Sequence, residues 1–221
     1  MNTLRRYWLA LTFVLAAFAT SAALYAQLPA IIPTHWNARG IVNGWMPKWQ
    51  GAFFAPCTAL VLIVILVLVE RWQLQEEDEA EIALRKRFFP SLVAAITGFV
   101  CYVNAVVLMA GLRRHFELPS KLAAGIGLLI IVIGNGLGKV PQNRVVGIRT
   151  PWTLANQEVW ARTHRIGGWL FVLAGVVMAI TGFIGLAMVP GLIALGGAVA
   201  VSVGYSYIVA RRLDGPGGAS S

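Results

Sequence analysis

Along the chain, almost wholly apolar stretches alternate with short polar segments, and the stretches are too continuous to be one face of a soluble helix or strand. Such runs occupy 7–26, 50–69, 88–112, 122–137, 166–189 and 192–210. Each is near the roughly 20 residues a helix needs to cross the hydrocarbon core of a bilayer. Backbone polar groups inside lipid have to be satisfied within the segment, so the pattern predicts an all-α fold: a polytopic membrane helix bundle of about six transmembrane helices. The fourth run is the shortest and is rich in glycine.

The polar segments divide the chain. Residues 1–70 read as an amino-terminal helix pair around a loop at 27–49, and residues 71–121 as a charged loop and a third helix. Residues 122–210 form a carboxyl-terminal region with a loop at 138–165, and 211–221 a glycine-rich tail with the composition of a flexible end. Arg5 and Arg6 before the first run, with Ala22 and Ala23 near its end, give it some look of a secretory leader; its length favours a retained helix. Between the second and third runs, Glu76, Glu77, Asp78, Glu79 and Glu81 precede Arg85, Lys86 and Arg87, without Gly or Pro from Trp72 onward. That stretch reads as solvated charge on helical extensions beyond the bilayer.

Composition agrees: 58% of residues are hydrophobic and 12% charged. The net charge of +9 sits in short segments beside the apolar runs, where it acts as a topology signal, so direct nucleic-acid binding is not implied. Counted by alternate side, thirteen of the eighteen Lys and Arg fall on the side of both termini and five on the other. The positive-inside rule then puts both termini in the cytoplasm, the loop at 27–49 outside and the loop at 138–165 inside. Cys57 and Cys101 fall within apolar runs and read as packing residues.

Candidate chemistry lies in the two loops. In the outer one, Pro33 fixes extended backbone before His35, and Asn37, Gly40, Asn43 and Gly44 tolerate tight turning, which predicts a compact structure with Trp36, Trp45 and Trp49 at headgroup level and Lys48 at its close. His35 lacks a nearby His, Cys or acid for a metal site. In the inner loop, Asn143, Arg144, Gly147, Arg149, Thr150 and Pro151 cluster, and Thr150 or Thr153 is placed to cap a helix from Leu154 to Arg165 that runs on into the fifth span. On it Glu158 and Arg162 are spaced for an ion pair, and Trp160 and His164 share a face. The expectation is a helix at the membrane surface anchored by Trp152 and Trp160. Gly134 with Gly138, and Gly167 with Gly168, favour close helix contact, and Asn104 and Asn135 favour interhelical hydrogen bonds. No catalytic set, metal site or cofactor can be named from these residues.

At these loops the sequence resembles the SdpI immunity protein family of bacterial membrane proteins. The outer residues Pro33, Thr34, His35, Trp36 and Asn37, with Gly40, Gly44, Trp45 and Lys48, resemble the domain of unknown function at that family's amino end. Gly147 to Thr153, with Trp160 and His164, resemble its carboxyl-terminal region. The resemblance implies a six-helix plasma membrane protein that protects a cell from a secreted toxin peptide and, when engaged, holds an ArsR-type repressor at the membrane. Membrane lipids are the other expected partner. A transporter or lipid-handling protein for a small amphipathic ligand, and a membrane metallohydrolase, remain as alternatives, and the oligomeric state is open.

Overall fold

The computed structural model describes residues 3–37, 41–73, 82, 86, 88–113, 118–186 and 188–213. Gly40, the acidic run from Glu76 to Glu81, Arg85, Arg87 and the tail from Asp214 lie outside them.

A short α1 (Thr3–Arg6) leads into α2 (Trp8–Leu24), which a single 3-10 turn (Tyr25–Gln27) joins to a hairpin of β1 (Ile31–Trp36) and β2 (Val42–Pro47). Four long helices follow: α3 (Lys48–Gln73), α4 (Phe89–Leu112), α5 (Leu118–Leu137) and, after the five-residue α6 (Pro151–Ala155), α7 (Gln157–Phe183). The last is α8 (Val189–Leu213). Six helices are long and apolar enough to cross a membrane, and their outward faces carry large exposed apolar side chains such as Leu15, Phe54, Leu173 and Ile193. In lipid such faces are solvated, so the chain is a polytopic helical membrane protein. "Inner" below means the end of the bundle where α2 begins and α8 ends.

Packing forms two groups. Helices α2, α3 and α4 contact one another and carry the hairpin; α7 contacts both α5 and α8, and α4 packs on α5. The α5–α7 seam carries glycine at seven-residue intervals: Gly127 faces Gly175, Gly134 faces Gly168, and Gly182 faces the backbone of Ser120 and Ala124. A Cβ on Gly134 would stand 2.8 Å from the Val172 nitrogen, and one on Gly175 2.7 Å from the Gly127 oxygen. Backbone therefore meets backbone, which association in lipid rewards because it maximises van der Waals contact. A seven-residue repeat keeps one line of residues on a supercoiled seam, and the Gly134–Gly138 pair adds to it, for a Cβ on Gly168 would stand 2.8 Å from the Gly134 oxygen and 3.4 Å from the Gly138 nitrogen. Gly138 is at ordinary contact distance, 3.5 Å from the Arg165 Cα.

Asn104 behaves as expected of a buried polar group in a span. It donates to Ser21 Oγ at 2.9 Å, and Ser21 donates to the Ala52 carbonyl at 2.7 Å, tying α4, α2 and α3 together. Asn135, by contrast, is exposed on α5.

Two expectations are corrected. The helix expected to run from Leu154 into the fifth span is broken near its start: α6 stops at Ala155, Asn156 turns extended, and its side chain accepts from the backbone N–H of Glu158 and Val159 at 2.8 and 3.1 Å, starting α7 afresh at Gln157. Trp160 is not an interfacial anchor, for it is 2% exposed and packs with Phe89 and Val140. The apolar window also stopped one residue short of Glu70, which the structure keeps in α3 and buries.

Candidate functional site

The outer loop is a hairpin whose antiparallel register sets Ile31 opposite Pro47, Pro33 opposite Trp45 and Trp36 opposite Val42, with irregular pairing around His35. His35 Nδ1 lies 2.5 Å from Asn43 Oδ1, an oxygen that only accepts, so the ring donates from Nδ1. Asn37 closes the turn twice: its N–H donates to the Ile41 carbonyl at 2.9 Å, and its Oδ1 accepts from the Ile41 N–H at 3.0 Å. Gly44 is required by contact, since a Cβ there would stand 2.7 Å from the His35 Cβ. Lys48 fixes the base, its N–H on the Ala30 carbonyl at 2.9 Å and its Nζ on the Tyr25 carbonyl at 3.3 Å.

The hairpin is held by one plug. Ile32 is fully buried among Leu28, Ala52 and Leu108, and its side chain would strike a Cβ on Gly51 or Gly111 at 2.6 and 3.0 Å. Above that plug Ile31, Ile41 and Trp45 stay exposed, Trp45 at 60%. A cleft of about 530 Å³ opens between hairpin and α4, lined by Pro29, Ile31, Pro33, Trp36, Trp45 and Arg113 among others. Exposed apolar surface rimmed by a cation is what an amphipathic peptide would need for docking.

The inner loop has no regular secondary structure before α6, and side chains take the place of a ladder. Asn143 Oδ1 accepts from the N–H groups of Val145 and Val146, both at 2.7 Å, while its Nδ2 donates to the carbonyls of Pro141 and Val146. Gln142 donates to the carbonyls of Thr153 and Leu154 at 2.8 and 3.0 Å. Thr150 and Thr153 form a reciprocal capping box with Pro151 at the first turn, and Thr153 Oγ1 also donates to the Ile148 carbonyl at 2.8 Å. Trp152 donates to Ser206 Oγ at 2.5 Å, joining α6 to α8.

His164 joins the loop to α7. Its Nε2 accepts from the Ile148 N–H at 2.9 Å, so its proton is on Nδ1, which faces the Trp160 carbonyl at 2.9 Å. The ring stacks on Trp160 with centroids 3.9 Å apart, and Trp160 donates to the Val140 carbonyl at 2.9 Å. Gly147 crosses over this pair at φ +131°, where a Cβ would overlap His164 Nε2 and stand 2.8 Å from the indole. Arg149 and Arg144 remain exposed, with Arg149 donating to the Arg144 carbonyl.

The sequence-selected residues thus separate by role. Asn143, Gly147, Thr150, Pro151, Trp160 and His164 hold the loop on the end of α7, and Arg149 faces outward from it. Residues 12–60, which span α2, the hairpin and the start of α3, match a domain-of-unknown-function model (DUF1648), and residues 139–208, which hold the inner loop, α7 and most of α8, match the SdpI/YfhL protein family. The carboxyl-terminal region is thus similar to the SdpI/YfhL family. The Immunity protein SdpI of Bacillus subtilis (strain 168) is 24% identical over 176 residues, covering 79% of this chain and 80% of that one. No solved structure matches. The two matched segments include the two built loops, while the charged segment between α3 and α4 falls in neither.

The sequence did not flag the cluster at the inner end of the first three helices. Glu70 is 1% exposed and receives Arg6 Nη1 at 2.8 Å and the Tyr7 hydroxyl. Burial first, and the bond to the Glu70 carboxylate second, push the Tyr7 phenol above its ordinary value. The signal was there in the pairing of Arg6-Tyr7 at one helix start with Glu70 at the next helix end. Among the described residues no group of three His, Cys, Asp or Glu is arranged to hold a metal.

Proposed function

We propose that this chain is an immunity protein of the bacterial plasma membrane, protecting its cell against a secreted antimicrobial peptide, with the β1–β2 hairpin as the receptor surface. The observation that carries the reading is the hairpin itself. It is seated rigidly by Ile32 and stiffened by the His35–Asn43 and Asn37–Ile41 bonds, yet it presents Ile31, Ile41 and Trp45 outward beside a cleft rimmed by Arg113. A folded protein leaves such surface bare where a partner covers it. The likeness to a protein named for immunity supports the same function. With both termini cytoplasmic, the hairpin faces the compartment from which a secreted peptide arrives.

The inner loop supplies the second half of the proposal: Arg144 and Arg149, held out from a fixed loop, form the contact for a cytoplasmic partner such as an ArsR-type repressor. Expression in a sensitive bacterium should raise the concentration of toxin peptide needed to kill. Trp45→Ala or His35→Ala should remove about tenfold of that protection, roughly 1.4 kcal/mol of binding, at unchanged membrane abundance, and Arg149→Ala should spare protection while lowering recruitment of the partner. Full protection by both hairpin variants discards the receptor surface; no protection by the parent chain discards the function.

A further inference from the structure

At the inner end of the glycine seam a groove of about 320 Å³ lies between α5 and α7. Its walls are Ile131 and Val172, its floor the backbone at Gly134 and Gly168, and its inner mouth carries Lys139 and Arg165. Trp169, 73% exposed, stands at its edge. From Ile131 to Lys139 the groove follows eight residues of chain, roughly 12 Å at 1.5 Å per helical residue. Neither cation has an ion-pair partner among the described residues, in contrast to Arg162, which Glu158 holds at 2.6 Å. Two positive charges without an ion-pair partner among the described residues thus stand together at the level where the bundle leaves the bilayer, above a channel that is apolar but for Asn135.

We propose that this groove binds one anionic phospholipid of the inner leaflet, with the phosphate between Lys139 and Arg165 and the first acyl carbons along Ile131 and Val172. The choice of occupant follows from charge and shape together. A neutral lipid would leave both cations unpaired, and a soluble anion would leave the apolar walls open to solvent at the bilayer boundary. A phosphodiester on an acyl glycerol satisfies both halves, and the exposed indole is suited to the glycerol level. On the opposite flank of α5 a second groove of about 520 Å³ shares Lys139 but not Arg165. Arg165 therefore assigns the lipid to the α5–α7 side. The site this adds lies beside the inner loop, because Arg165 adjoins His164, whose Nε2 accepts from the Ile148 N–H. It is independent of toxin recognition.

The test reconstitutes the full chain in phosphatidylcholine vesicles containing brominated-chain phosphatidylglycerol or, in parallel, brominated-chain phosphatidylcholine. Quenching that is lost in Trp169→Phe reports lipid in the groove. Phosphatidylglycerol should reach half-maximal quenching at a severalfold lower mole fraction than phosphatidylcholine, and Arg165→Gln with Lys139→Gln should abolish that preference, whereas Arg212→Gln, remote from the groove, should keep it. Circular dichroism checks that the double variant is folded; if it is not, the parent's comparison of the two lipids decides. Equal quenching curves for the two lipids in the parent chain overturn the proposal, as does an undiminished preference in the folded double variant.

Discussion

The Ile148 N–H donates to Nε2 of His164 at 2.9 Å, across the gap between an irregular loop and the third turn of α7. This bond, with the stacked Trp160 ring beneath it and the Trp160–Val140 bond behind it, sets the position of the whole segment from Val140 to Thr150. The loop is therefore fixed to α7, and Arg144 and Arg149, exposed on it, are tied through His164 to a transmembrane helix.

Removing that acceptor should release the loop without unfolding the bundle. His164→Ala leaves the Ile148 N–H and the Trp160 indole face without their partner, a loss on the order of 2–4 kcal/mol from an unsatisfied buried donor and a cavity together. A thiol reagent should then label Val145→Cys severalfold faster in the His164→Ala background than in the parent, while the helical circular dichroism stays intact. Unchanged labelling would mean that the loop is held by other means.

Gly147→Ala tests the same junction from the loop side. At φ +131° any side chain is strained, and its Cβ would overlap His164 Nε2. The expected cost is about 1–3 kcal/mol, read as a lower melting temperature in detergent and as the same gain in Val145→Cys labelling. Combined with His164→Ala it should add little, because both changes break one contact; full additivity would place the two residues in separate interactions.

How much of this was legible in the sequence follows from which force sets each feature. The six spans were, because burial in lipid demands continuous apolar runs that a single window detects. The loops were legible as motifs but not as structures: Gly44 and Gly147 announced tight backbone, yet that one passes over His35 and the other over His164 depends on pairings between distant positions. Trp160 misled for a related reason. An indole near a span end suits the headgroup region, and only the arrival of Phe89 from α4 and Val140 from the loop buries it. Glu70 escaped because a hydropathy window sees one charge at a boundary and assigns it to water. Its partners Arg6 and Tyr7 lie more than sixty residues away in sequence.

The Glu70 cluster should act as a clasp on α2 and α3. Glu70→Gln removes the charge that Arg6 faces at 2.8 Å, with side-chain exposures of 13% for Arg6 and 2% for Glu70. Breaking one side of a buried pair costs about 3–5 kcal/mol because the remaining charge is stranded, whereas removing both sides costs less. Thermal melts should therefore place Arg6→Gln/Glu70→Gln above Glu70→Gln alone. A double variant no better than the single one would show that the pair carries no coupling.

The glycine seam yields the sharpest expectation, since its argument is steric. At Gly175 a Cβ would lie 2.7 Å from the Gly127 oxygen and 2.8 Å from the Ile131 nitrogen, both backbone atoms that cannot rotate away. Gly197 on α8 offers the matched control, with nothing within 4 Å of its Cβ position. Gly175→Ala should thus force α5 and α7 apart, and lower the melting temperature in detergent, while Gly197→Ala leaves stability unchanged or raises it slightly through better helix propensity, by up to about 1 kcal/mol. Disulfide crosslinking between Ile131→Cys and Val172→Cys, two positions that flank the seam, should slow in the Gly175→Ala background and not in Gly197→Ala. Equal crosslinking and equal melting in the two variants would mean that α5 and α7 do not meet through their backbones, and the groove between them would lose its floor.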